Sequence, residues 1–173
     1  HLLALVSLFS PVPPGVRRIA ASVPYGDERR QLLDIYAPDG RRRPLPVIYF
    51  LYGGSWSMGA RGYYAFAARA LAAAGFVVVV ADYRLVPRVE YPRFLDDCAL
   101  ALEWTIANIG TYGGDQQRIA VLGHSAGAYN AIMTILRSRV SGDNIRAMAG
   151  LSGPYDFYPF DGPISLRVFG AVG

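Results

Sequence analysis

The sequence predicts an α/β chain, a three-layer sandwich around a mostly parallel sheet. Two observations carry this. Apolar runs alternate with helix-length segments in the order strand, helix, strand, helix, strand, helix, strand across residues 47–152. The runs are also apolar throughout, as strands covered on both faces should be, where a strand with one wet face would alternate. Alternating strands and helices imply right-handed parallel crossovers. At 173 residues with 53% hydrophobic content, the chain is read as a single domain, residues 1–173, with a sizeable core. No stretch reaches the roughly 20 apolar residues of a membrane span.

The elements follow in order. Residues 2–9 are apolar. They lack the basic n-region and small-residue cleavage site of a signal peptide, so they are expected to be a helix packed on the domain. Prolines at 11, 13 and 14 break it, and residues 1–24 are expected to be a helix-and-loop region. Residues 31–36 alternate as a strand does and end at the turn cluster Pro38-Asp39-Gly40. Residues 47–51 read as a buried strand, and Tyr52-Gly53-Gly54-Ser55 as a glycine loop after it. Residues 64–74 are alanine-rich and helical, closed by Gly75. Residues 76–81 hold four consecutive valines, which suit a doubly covered strand. A loop with two prolines, 82–92, leads to a helix over 94–108 with Leu95, Cys98, Ala99, Leu102 and Ile106 at helical spacing. A turn at 111–115, a strand at 118–122, a helix at 126–139 and a strand at 145–152, stopped by Gly153-Pro154, complete the order.

The net charge is +4 and all 17 basic residues are arginine. Their clusters, Arg17-Arg18, Arg29-Arg30 and Arg41-Arg42-Arg43, are short. A nucleic-acid binder would show a basic stripe with a docking motif, so these are read as solvated loop charge and no nucleic-acid partner is expected. The single cysteine, Cys98, forbids an intrachain disulfide and leaves the compartment open, cytoplasmic slightly favoured. Its place in a helical pattern makes it core filler. With no metal-ligand cluster and no dinucleotide fingerprint, neither metal nor cofactor is expected.

The chemistry lies in Gly123-His124-Ser125-Ala126-Gly127, between an apolar strand and a helix. G-x-S-x-G in that context is the form of a nucleophile elbow. The flanking glycines remove side chains that would clash across a sharp turn. Ser125 is then the candidate nucleophile, at a helix N-terminus that favours negative charge. His124 should point away from the serine hydroxyl. Acyl transfer also needs N–H donors for an oxyanion, and the backbones of Gly53, Gly54 and Ala126 are the candidates.

Four motifs in order, residues 47–56, Asp82-Tyr83-Arg84-Leu85, Gly113-Gly114-Asp115 and the elbow, resemble the α/β-hydrolase carboxylesterases. The branch is that near the hormone-sensitive-lipase and feruloyl-esterase-like enzymes, and the resemblance runs from about Tyr25 onward. It implies an α/β-hydrolase fold, Ser125 as nucleophile, and Gly53, Gly54 and Ala126 as oxyanion hole. It implies a structural turn at Asp82-Tyr83-Arg84. Trp56 and Tyr63 are candidates for the acyl or alcohol pocket, with aromatic packing the competing role. Two departures stand out. Tyr52 occupies the place where the family has histidine. The triad order serine, acid, histidine is not completed, because the only histidines are His1 and His124. Asp156 is read as a loop carboxylate in preference to a triad acid.

The expected activity is serine-dependent hydrolysis of a small-molecule carboxylic ester through an acyl-enzyme. The chain is expected to be a C-terminally truncated hydrolase, inactive or very weak, whose last strand is an uncovered apolar edge that lowers solubility. The alternatives are a non-catalytic hydrolase-like binding protein or pseudo-enzyme and, within the fold, an arylformamidase or peptidase.

Overall fold

In the computed structural model, which describes residues 2–40, 43–137, 143–156, 158–160 and 162–170, the chain opens with α1 (Leu2–Phe9) and β1 (Val16–Pro24). Then come β2 (Leu32–Pro38), β3 (Leu45–Leu51), a 3-10 turn (Arg61–Tyr64), α2 (Ala65–Ala73) and β4 (Val77–Ala81). The remaining elements are α3 (Arg93–Asn108), a second 3-10 turn (Ile109–Tyr112), β5 (Gly114–His124), α4 (Ala126–Arg137), β6 (Ile145–Leu151) and α5 (Pro163–Phe169). The expected ends of the chain, His1 and Gly173, part of the 41–43 arginine run, and positions 138–139 of the helix expected over 126–139 lie outside the described residues.

The strands form one six-stranded sheet in the order β1-β2-β4-β3-β5-β6. From β4 to β6 the pairing is parallel, while β1 and β2 join antiparallel. The four valines of β4 are wholly buried, as are Val47, Tyr49 and Leu51 of β3. Successive strand residues point to opposite faces. Tyr49 sends its hydroxyl to the Cys98 carbonyl in α3 at 2.9 Å, and the next residue, Phe50, packs its ring 5.5 Å from that of Tyr64. Helices therefore cover the central strands from both sides, α3 with α4 on one face and α2 with α1 on the other. Cys98 is buried between α3 and the sheet, in the core place expected of it.

The α1 helix matches expectation, but residues 16–24 do not. The presumed loop there is β1, paired with β2 through two register shifts. Those irregularities are why its sequence does not alternate. Its place is held by Asp34 of β2, which accepts from the Ser22 N–H at 2.8 Å and from Arg18 at 3.1 Å. The α5 helix, only 7 residues long, lies outside the expected elements; its signals are Pro163 in the first turn and the Ser165 hydroxyl bonded to Gly162. Among the described residues no helix is long and apolar enough to cross a membrane.

Candidate active site

The strand order reverses between β3 and β5. The chain leaves β3 toward β4 on one side and leaves β5 toward β6 on the other. Parallel sheets bind ligands at such a switch point, beyond the carboxyl ends of the strands. The ladder aligns Leu51 with Gly123, so the glycine loop after β3 and the turn after β5 emerge side by side.

Ser125 sits in that second turn with φ 54°, left-handed backbone that a non-glycine residue seldom adopts. Its N–H donates to the Leu151 carbonyl at the end of β6, and its carbonyl accepts from the Ala128 N–H, both at 2.8 Å. A Cβ on Gly123 would lie 2.2 Å from the Gly127 oxygen, and one on Gly127 would lie 2.1 Å from the Leu51 oxygen. Glycine at both places is thus a steric requirement of the turn. Ala126 opens α4, where no intrahelical acceptor exists for its N–H.

The glycine loop lies directly on this turn. A Cβ on Gly53 would meet the His124 carbonyl and the Ser125 Cβ, each at 2.8 Å. Gly54 has φ 143° and passes so close to Met58 that no side chain fits. Tyr64 joins loop to turn: its hydroxyl accepts the Gly53 N–H at 3.3 Å and shares a 2.9 Å hydrogen bond with His124 Nδ1. Burial raises the Tyr64 pKa, so the phenol stays protonated. Two expectations are affected. The His124 ring, expected to point away from the serine hydroxyl, is bonded at Nδ1 to Tyr64, and among the described residues it makes no hydrogen bond to Ser125. The Gly53 N–H, expected as an oxyanion donor, is bonded to the phenol, whereas among the described residues no protein acceptor takes the N–H of Gly54 or Ala126.

Behind the loop stands Asp82, only 5% exposed. Tyr52 donates its hydroxyl to Asp82 Oδ1 at 2.7 Å, the Arg61 N–H donates to the same oxygen at 2.7 Å, and the Arg61 guanidinium pairs with Oδ2. Arg30 donates to the Tyr52 hydroxyl and to the Gly59 carbonyl, both at 2.9 Å. Burial, then the Asp82 charge, pushes the Tyr52 pKa well up, so it remains a donor. Tyrosine in the place of the family's histidine is therefore wired into a buried carboxylate and two arginines. The adjoining Tyr83 hydroxyl donates to the Tyr52 carbonyl at 2.8 Å. The turn at Asp82-Tyr83-Arg84 is structural, as the resemblance implies.

Ser125 opens into a cavity of about 350 Å³ lined by Ser55, Trp56, Ala126, Pro154 and the first residues of α5, Pro163 to Ser165 among them. Trp56 lines it, although only 4% exposed. Its indole N–H donates to Asn130 Oδ1 at 2.8 Å, and its ring meets Phe169 edge-on at 4.9 Å and Tyr129 at 5.6 Å. Tyr63 is elsewhere. It lines a separate cavity between α1 and the sheet, with Ser7, Tyr36 and Arg69, so the pocket role expected of it has no support in its position. Asp156 is exposed and borders a third cavity with Tyr129 and Tyr158, not the one at Ser125. Among the described residues no three His, Cys, Asp or Glu side chains converge as a metal site. Tyr64, Arg30, Arg61, Asn130 and α5 escaped the sequence reading because each reaches the site from 11 to 74 positions away, beyond any local pattern.

What is assembled is a strained serine at a helix start, a glycine loop against it and an apolar cavity in front. The profile of the family described as BD-FAE matches residues 33–161. The chain is 34% identical over 150 residues to the probable isoprenylcysteine alpha-carbonyl methylesterase ICME of Oryza sativa subsp. japonica, covering 81% of this chain and 36% of that protein. It is 39% identical over 143 residues to carboxylesterase NlhH of Mycobacterium tuberculosis, covering 77% of this chain and 45% of that one. The chain thus spans under half the length of these curated relatives. Among solved structures, esterase B of Lactobacillus rhamnosis shares the fold, with TM-score 0.83, 20% identity and coverage of 96% of this chain and 60% of that one. A bacterial heroin esterase superposes with TM-score 0.68 at 29% identity, covering 80% of this chain and 44% of its own.

Proposed function

The chain belongs to the BD-FAE family and has the α/β-hydrolase architecture, and on that footing we propose that it carries the nucleophile half of a carboxylic-ester hydrolase site. Ser125 Oγ attacks the ester carbonyl carbon; a C–O bond forms and the carbonyl π pair moves onto oxygen. The N–H groups of Gly54 and Ala126 receive that oxyanion, with the α4 N-terminus behind them. The serine proton passes to an imidazole and then to the departing alcohol, leaving an acyl-serine that water cleaves. His124 is not taken as that imidazole, because among the described residues its ring hydrogen-bonds the Tyr64 hydroxyl and not Ser125; this reading takes the base from a histidine other than His124. The cavity of about 350 Å³, walled by Trp56, Pro154, Pro163 and Ile164, suits a small apolar acyl or alcohol group.

The observation that carries the proposal is the left-handed Ser125 opening into that cavity with the glycine loop at its side. The test is labelling of the folded chain with a fluorophosphonate probe, followed by mass spectrometry. Wild type is expected to gain one adduct on Ser125, and Ser125→Ala none. Equal labelling of both would sink the proposal.

A second reading is supported by a specific feature: among the described residues the only imidazole is the one tied to Tyr64. If no other base reaches the serine, turnover falls to the residual 10³–10⁴-fold over water, roughly, that binding and oxyanion contacts supply. On this reading the chain binds esters without cleaving them. An absence of adduct, with saturable binding of an ester to the folded chain, would favour it.

A further inference from the structure

A cavity of about 380 Å³ that includes neither Ser125 nor the glycine loop is lined by four arginines, Arg29, Arg30, Arg84 and Arg88, with the carboxylate of Glu28 and the apolar side of Leu85. The sequence reading treated Arg29-Arg30 as solvated loop charge. Four guanidiniums around one small cavity repel one another unless anions balance them, and the balance can be followed residue by residue.

Arg84 is matched from within. The buried Asp97 receives its Nε and Nη2, the latter at 2.7 Å, and the Arg84 N–H as well. This clamp fixes the guanidinium plane and directs Nη1 toward Glu28, 3.3 Å away. Arg30 is matched by the Tyr83 and Gly59 carbonyls and the Tyr52 hydroxyl, with Asp82 at 3.6 Å. Arg29 and Arg88 are not matched: among the described residues neither guanidinium makes a hydrogen bond or ion pair. Two positive charges are left over at one cavity. The carboxylate now on Arg84 Nη1 belongs to a side chain 58% exposed, a surface pair worth little and readily displaced.

We propose that this cavity binds a small molecule bearing a phosphate group. A dianion with several oxygens matches two unpaired guanidiniums and a third presented Nη1, each a fork suited to phosphate. A monocarboxylate would supply one charge, the part Glu28 already plays. Leu85 gives the organic portion an apolar wall. Glu28 occupies the anion's place when the cavity is empty of ligand.

Isothermal titration calorimetry of the full chain with phenyl phosphate, at constant ionic strength, tests this, with benzoate as the carboxylate arm. Saturable one-to-one binding is expected. Arg29→Gln/Arg88→Gln should weaken it about tenfold or more, since charge-assisted contacts are lost. Glu28→Gln should tighten it several-fold by removing the internal competitor. The arginine side chains are exposed and unpaired, so the double variant keeps the fold, as circular dichroism would verify. Absence of saturable binding, wild-type affinity in the double variant, no tightening in Glu28→Gln, or benzoate bound as tightly as phenyl phosphate would each overturn the proposal.

Discussion

Asp82 takes hydrogen bonds from the Tyr52 hydroxyl and from both the main chain and guanidinium of Arg61, while Arg61 reaches on to Asp34 at 2.8 Å. Arg61 therefore bridges two carboxylates that are almost fully buried. Buried charges persist only when paired and hydrogen-bonded, so each donor here is a structural necessity for the loop that flanks Ser125. Tyr52→Phe keeps the ring, which stacks on Tyr83 with centroids 4.9 Å apart, and deletes one donor to Asp82 and one acceptor for Arg30. The expected cost is about 1–3 kcal/mol, read as a lower urea midpoint at unchanged m-value. A midpoint equal to wild type would show that the hydroxyl carries none of this load.

At the scale of elements, α4 rides on β3 through Gly127, where a methyl group would press on the Leu51 and Tyr52 carbonyls. Those atoms are backbone, so they cannot swing away. Gly127→Ala should cost about 1–3 kcal/mol by overpacking, measured by thermal or urea unfolding; a neutral substitution would contradict this close approach. β6 is the opposite case. Among the described residues it is the last strand of the sheet, it is exposed along most of its length, and Met148 and Leu151 face solvent at 38% and 52%. An apolar edge strand invites pairing with another copy. Concentration-dependent association is expected in sedimentation velocity, reduced by Met148→Lys; a wild-type chain that stays monomeric at high concentration would refute it. The legible elements were those whose pattern is self-contained. The valines of β4, the apolar run of β3, the helical spacing in α3 and the glycines around Ser125 each encode their own conformation. β1 was hidden by its two register shifts, and α5 by its brevity. At the candidate site, the strand–turn–helix context singled out Ser125 and Ala126, and the glycine pair after β3 singled out Gly53 and Gly54. The phenol that claims the Gly53 N–H, the Arg30 that braces Tyr52 and the position of Tyr63 depend on tertiary contacts, and no neighbouring residue announces them.

Across the whole molecule, phenols and a thiol are held protonated in the core. Burial raises the pKa of Tyr25, Tyr49, Tyr52, Tyr83 and Cys98 well above their ordinary values. In the unfolded chain these groups release protons near pH 8.5–10, roughly. The folded chain keeps them, so the stabilisation is complete below that range and declines as pH rises through it. Cooperative alkaline unfolding is expected above about pH 10, with these tyrosines ionising only as the fold opens; ultraviolet titration at tyrosinate wavelengths would follow it. Smooth ionisation of all 12 tyrosines in a still-folded chain would be the contrary result. One further consequence follows from the parallel ladder that sets Leu51 beside Gly123. The spacing between the loop and Ser125 is dictated by main-chain pairing of two neighbouring strands, whereas the cavity's outer wall is built of side chains on a separate short helix, Pro163, Ile164 and Ser165. On the proposed reading, chemistry and selectivity are mechanically decoupled in this architecture. Substitutions on that helix can retune which group is accommodated while the reacting geometry stays anchored to the backbone.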